Sequence, residues 1–211
     1  REDTTNGMEG TKATVQRKEV NGNLVLTSHR EGTKCITDVA YTIYPQGILD
    51  VDVTFTPKTN DLRRAGMVCT VNPSLDRVKY YALGPWENSN DRKDGMVAQW
   101  YETKVGEMGG EYVKPQSMGG REQLRELVLT NAQGKGLRIQ TEGQVSFSIN
   151  PYTDEQLMKT LHMWELQPQP FHVLHLDAAV RGIGNASCGP DTLPEYAVPN
   201  QPLSYKLRSS D

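Results

Sequence analysis

From Lys12 onward, hydrophobic and polar positions alternate along the chain with a period of two. The stretch "ILDVDVTFTP" is the clearest case, with Leu49, Val51, Val53 and Phe55 alternating with Ile48, Asp50, Asp52 and Thr54. That spacing predicts an antiparallel strand with one buried face and one wet face, ended by Pro57. "NLVLTSH", "KCITDVAYTIYP", "AGMVCTVN", "LRELVLTN", "GLRIQTEG", "VSFSINPY" and "HVLHLDAAVRGIG" share the habit. All are rich in strand-forming residues, and Asn-Gly, Pro and Asn-Asp clusters separate them. Gly134 and Gly136, on either side of Lys135, signal a hairpin.

One segment departs from the pattern. "TDEQLMKTLHMWEL" opens on Thr153 with Gln156 three residues later, which predicts an N-cap and a capping box. Asp154 and Glu155 suit the positive end of a helix dipole. Leu157, Leu161 and Trp164 recur at helical spacing, so a helix of about three turns is expected, with one face packed on the sheets. The chain therefore reads as all-β with one short helix. No internal repeat, low-complexity run or convincing linker divides it.

Composition narrows the function. The 211 residues are 36% hydrophobic and 23% charged with a formal net charge of −3, an ordinary globular balance able to bury one good core. Basic residues are scattered rather than gathered on one stretch, which argues against a nucleic-acid partner. There is no apolar run of membrane-spanning length. The opening "REDTTNGMEG" carries neither an initiating Met nor a signal peptide. Residues 1–11 are therefore expected to be a disordered or tag-like lead on a piece of a longer protein, with residues 12–211 forming one domain. Localisation stays open between cytoplasm and periplasm.

Cys35, Cys69 and Cys188 are too far apart for a zinc site and give no disulfide framework. Cys35 and Cys69, in apolar runs, are expected as small buried hydrophobes. His172 and His175, three apart on a strand, should face opposite ways and cannot share one metal. Local hydrogen bonding is the expected role for these two and for His29 and His162. Carboxylates abound, among them Asp50, Asp52, Glu87, Asp91, Asp177, Asp191 and Glu195. A glycosidase needs two of them across the scissile bond, and abundance alone does not establish such a pair. "RGIGNASCGP" resembles a dinucleotide-binding glycine pattern only superficially, because a Pro-containing loop follows it where a helix is required.

"YYALGPWENSNDRKD", Tyr80 to Asp94, is the segment most loaded with chemistry. Gly84-Pro85 sets a turn. Glu87, Asn88, Asn90, Asp91 and Arg92 can hydrogen-bond backbone groups, and Arg92 can pair bidentately with Glu87 or Asp91. Trp86 would be the apolar anchor. A sugar platform with a polar rim and a self-locked structural loop both fit.

This stretch resembles the "GLGPxENYPDR" signature in the C-terminal domain of glycoside hydrolase family 2 β-galactosidases, carried by the small subunit in heterodimeric members. "YVKPQSMGGREQLRELVLTN", "FSINPYTDEQLMKTLHMWEL" and "HVLHLDAAVRGIGNASCGPDTLPEY" are similar to three further family segments, in the right order. The resemblance spans roughly Lys12 to Leu207. It implies a large antiparallel β-supersandwich of the galactose mutarotase type. It also implies that both catalytic glutamates, Mg²⁺ and Na⁺ belong to a separate (β/α)8 barrel domain or large subunit. A barrel takes about 250 residues and cannot fit here, and the chain has no Asn-Glu pair to match the family's acid/base glutamate.

On this resemblance the chain is the non-catalytic C-terminal domain of a retaining β-galactosidase acting on galactosides such as lactose. Its partner is the barrel. Gly84, Pro85, Glu87, Asn88, Asp91 and Arg92 match the family framework, which favours the locked loop. Cys188 falls where many members have a sugar-facing Trp, so Cys188, Asn185 and Ser187 are expected at the substrate rim. Two other readings are an independent carbohydrate-binding module, with Trp86, Trp100, Tyr101 and Tyr112 as platforms, and a mutarotase-like epimerase using His175 and Asp177.

Overall fold

The structure is a computed structural model, described for residues 11–184 and 189–211. Among these residues, nine strands form one antiparallel sheet. They are β1 (Ala13–Val20), β2 (Asn23–Glu31), β3 (Cys35–Ile43), β4 (Leu49–Pro57), β6 (Arg77–Gly84), β7 (Val97–Lys104), β8 (Glu126–Thr130), β9 (Gly136–Gly143) and β12 (Leu203–Ser210). Their spatial order is β1-β2-β3-β4-β12-β9-β8-β6-β7. A smaller sheet, ordered β10-β11-β5, comprises β10 (Ser146–Asn150), β11 (His172–Val180) and β5 (Arg64–Val71).

Short local signals set much of this register. Asn21 and Gly22 both adopt positive φ, 52° and 78°, so Val20 pairs directly with Asn23 across a two-residue turn. The hairpin expected around Lys135 joins β8 to β9, with Thr130 opposite Gly136. In β4 the alternation is obeyed: Val51, Val53 and Phe55 are buried while Asp52 is exposed.

The two sheets meet face to face through their buried side chains. Tyr80 of β6 packs edge-on against Phe147 of β10, ring centroids 5.3 Å apart. Tyr205 of β12 donates its hydroxyl to the Leu176 carbonyl of β11 at 2.8 Å. Val53, Val78, Leu127, Leu129, Ile149 and Leu174 fill the space around these contacts. Because β11 lies between two strands and under the large sheet, every residue from His172 to Ala178 is buried.

Two local expectations fail. The helix α1 covers only Asp154–Lys159. The Thr153 capping box forms as read, but Thr160 is extended (φ −79°, ψ 135°) and ends the helix. A separate 3-10 turn at Met163–Glu165 follows. Leu157 is buried, whereas Leu161 and Trp164 are 64% and 75% exposed. The chain must turn back here, with Gln169 N–H on the Pro151 carbonyl at 2.8 Å, and that closure overrides the helical spacing. Cys35 is buried as expected, but Cys69 is exposed. It lies on β5, an edge of the small sheet, beside the exposed Val68 and Thr70.

Candidate functional site

The loop after β6 is built around two buried or half-buried side chains. Asn88 donates from Nδ2 to the Leu83 and Trp86 carbonyls at 3.0 and 2.9 Å. Its Oδ1 accepts the Glu122 N–H at 2.9 Å, and its own N–H reaches the Gly120 carbonyl at 2.9 Å. Glu87 accepts the Gly119 N–H at 2.6 Å and the Tyr112 hydroxyl. Gly84 is required by space: a Cβ there would lie 2.7 Å from the Tyr101 ring. The Gly84–Pro85 bond is cis.

Arg92 is a lesser partner than its chemistry suggested. It makes one contact to Glu87, Nη2 to Oε1 at 3.2 Å, from an exposed position, and no bidentate pair forms. Trp86 does not anchor the loop either, since its side chain is 73% exposed. Buried amide and carboxylate groups satisfied by backbone donors and carbonyls replace it, because these bonds fix the chain directly.

Asp91 links this loop to a second one. Its Oδ1 accepts the Ile183 N–H at 3.0 Å and its Oδ2 the Gly184 N–H at 2.8 Å, while Ser89 Oγ donates to Oδ1 at 2.8 Å. Burial works to raise the Asp91 carboxyl, but these donors together outweigh it and hold the group below the usual carboxylate range. The chain after β11 is tied further by an Arg181–Asp191 ion pair and by Gly182 N–H on the Tyr196 carbonyl at 2.8 Å. A Cβ on Gly182 would meet Asp91 Cγ at 2.6 Å, and Gly184, at φ +60°, has Thr192 N 2.7 Å from the same point. The glycines of "RGIG" thus serve close chain approach. Asn185, Ser187 and Cys188 lie outside the described residues.

A second polar cluster sits between β5 and β11. Arg64 Nη1 lies 2.6 Å from His175 Nδ1. A guanidinium only donates, so Nδ1 accepts and the ring proton is on Nε2, which faces Asp154 Oδ1 at 3.2 Å. Arg64 Nε lies 3.4 Å from Asp177 Oδ2, and Nη2 donates to Ser117 at 2.8 Å. Asp177 is buried and its Oδ1 has no hydrogen-bond partner. Burial pushes its carboxyl up, against the pull of Arg64 and His175. His175 and Asp177 therefore do converge, on one arginine, but both ring nitrogens of His175 are taken by protein groups. His172 instead faces the Pro73 carbonyl at 3.1 Å, and no group of three metal-ligating side chains occurs among the described residues.

The aromatic candidates do not gather. Trp100, on β7, meets Tyr81 edge-on at 5.7 Å and carries Lys79 over its ring at 5.5 Å. Tyr101 donates to the Val97 carbonyl and Tyr112 to Glu87. Sequence reasoning also missed Arg121, buried with Nε 3.2 Å from the Tyr80 hydroxyl and Nη1 on the Gly120 carbonyl at 3.1 Å. Its only signal was its place in "GGREQL", which carries no periodicity.

Comparison with known proteins identifies relatives. Residues 2–208 match the family model for the β-galactosidase small chain. The chain is 28% identical over 173 residues to a β-galactosidase of Priestia megaterium, covering 81% of this chain and 16% of that protein. It is 27% identical over 195 residues to a β-galactosidase of Actinobacillus pleuropneumoniae, covering 92% and 19%. A β-galactosidase of Enterobacter cloacae is 30% identical over 163 residues, covering 76% and 15%. The chain thus spans less than a fifth of the length of these curated relatives. A solved structure provisionally described as an aldose 1-epimerase from Escherichia coli K12 aligns with a TM-score of 0.43 at 13% identity, covering 92% of this chain and 67% of that one.

Proposed function

Because the chain belongs to the β-galactosidase small-chain family, we propose that it is the non-catalytic C-terminal domain of a retaining β-galactosidase. It stabilises that enzyme and lends the 185–188 loop to the rim of the galactoside site. The catalytic carboxylates, Mg²⁺ and Na⁺ are then held by a barrel domain or large subunit that is its partner. One observation carries the reading: Asp91, within the family signature, holds the Ile183 and Gly184 N–H groups at the stem of that loop. A signature whose polar residues orient a rim loop needs no catalytic member of its own.

Two measurements test this. The 211-residue chain alone should hydrolyse no lactose and give no heat on titration with galactose. In the complete β-galactosidase, Cys188→Trp should change the affinity for glucose as acceptor severalfold by adding a stacking face. Unchanged glucose affinity would sink the rim assignment, and millimolar sugar binding by the isolated chain would favour a carbohydrate-binding module.

A further inference from the structure

His175 is buried, and its ring is wired to groups of both signs. Arg64 of β5 donates to Nδ1 at 2.6 Å, and Nε2–H faces the exposed Asp154 of α1 at 3.2 Å. Asp177, two residues along β11, lies 3.4 Å from Arg64 Nε. The bond from Arg64 exists only while Nδ1 keeps its lone pair. A histidine that gains a proton donates from both nitrogens, and a guanidinium has donors only. Protonation therefore sets N–H against N–H at a buried position, and the guanidinium has to withdraw. Histidine takes up that proton within about pH 5 to 8. The anions around the ring favour the uptake. Burial works to raise the Asp154 carboxyl, but His175 and Arg64 outweigh it and keep the group below the usual carboxylate range. Glu122 and Lys93 complete the charged surroundings: burial dominates the rise of Glu122, repulsion from Asp177 adds to it, and Lys93 opposes it.

An acceptor for the displaced guanidinium is already in place. Asp177 Oδ1 is buried and has no hydrogen-bond partner. It lies against Gly66, two residues along β5 from Arg64, where a Cβ would collide with it. The move undoes the link from Arg64 Nη2 to Ser117 at 2.8 Å. Ser117 closes a span held at its two ends by other bonds. Glu87 takes the Tyr112 hydroxyl and the Gly119 N–H, and Asn150 donates to the Met118 carbonyl at 3.0 Å. We propose that Arg64, His175 and Asp177 form an acid-operated latch on the span 113–117. At neutral pH Arg64 bridges His175 and Ser117. When His175 takes up a proton, Arg64 closes onto both oxygens of Asp177 and lets Ser117 go. The switch thus sits beside the Glu87 loop, and it is independent of the β-galactosidase reading because every group in it belongs to this chain.

Hydrogen exchange of the 211-residue chain, read by mass spectrometry on the peptide spanning 113–118, tests the latch against His175→Gln. Glutamine can accept from Arg64 and donate to Asp154 but cannot titrate. Comparing the two proteins at one pH cancels the chemical exchange rate and the titration of Glu122, which both share. At pH 7.5 the peptide should exchange alike in both. At pH 5 the wild type should exchange at least about tenfold faster, the equivalent of one lost hydrogen bond to a charged group. Ser117→Ala, which lacks the released link, should exchange fast at both pH values. Nitrogen NMR of the imidazole needs no variant: His175 should carry one ring proton at pH 7.5 and two at pH 5. Equal exchange of wild type and His175→Gln at pH 5 overturns the latch, and so does a His175 ring that stays singly protonated there.

Discussion

Asp91 and Glu122 are carboxylates serving the same loop cluster, and their surroundings treat them in opposite ways. Asp91 is half-buried and meets three donors, which hold it ionised. Glu122 is buried, and that burial pushes its carboxyl from 4.5 up to about 7 against the opposing pull of Lys93, with Asp177 adding repulsion. The folded state thus binds this proton more tightly than the unfolded chain does. Its contribution is fully present below about pH 4.5 and is lost as pH rises through about 7. Glu122→Gln should be close to neutral at pH 4 and should stabilise the fold at pH 8 by roughly 2–3 kcal/mol. Urea unfolding at the two pH values checks this, and an equal effect at both would contradict it. Nothing in the sequence separated Glu122 from 25 other acidic residues, because burial is a property of where β6, β10 and the loop before β8 meet. Asp91 was legible only as a hydrogen-bonding loop residue; its partners lie 92 and 93 positions away.

Among the elements, α1 shows both the strength and the limit of local signals. Thr153 and Gln156 cap each other through short-range hydrogen bonds, with Gln156 N–H on Thr153 Oγ1 at 3.2 Å and Thr153 N–H on Gln156 Oε1 at 3.0 Å. Such a motif depends on four consecutive residues, so it could be read directly. Thr153→Ala should cost about 1 kcal/mol, the usual worth of an N-cap. For a domain of this size that lowers Tm by roughly 2–4 °C, measurable by calorimetry. The helix end could not be read in the same way. Leu161 and Trp164 sit at helical spacing, but the link from Gln169 back to Pro151 requires the chain to leave the helix before them. The same limit applies to Cys69, whose strand-like surroundings do not reveal that β5 is an edge.

Across the whole molecule, two sheets are held together by few polar links inside an apolar interface. Tyr205 supplies one, reaching from β12 to the Leu176 carbonyl in a buried setting. Tyr205→Phe keeps the ring and removes the bond, so it should destabilise the fold by about 1–2 kcal/mol. Differential scanning calorimetry would show a Tm lower by roughly 2–8 °C, and an unchanged Tm would mean that this bond adds nothing to the join between the sheets. By itself the sequence determined the all-β class, most strands, the hairpin at Lys135, and the resemblance to β-galactosidases. Each of these rests on periodicity or on residues close together in the chain. Only the tertiary structure decided that Asp91 holds the Gly184 stem, that Glu87 turns inward to Tyr112 and Gly119, and that Trp86 is left in solvent. Those outcomes depend on contacts between distant segments, formed once the two sheets bury their faces against each other, and no local pattern encodes them.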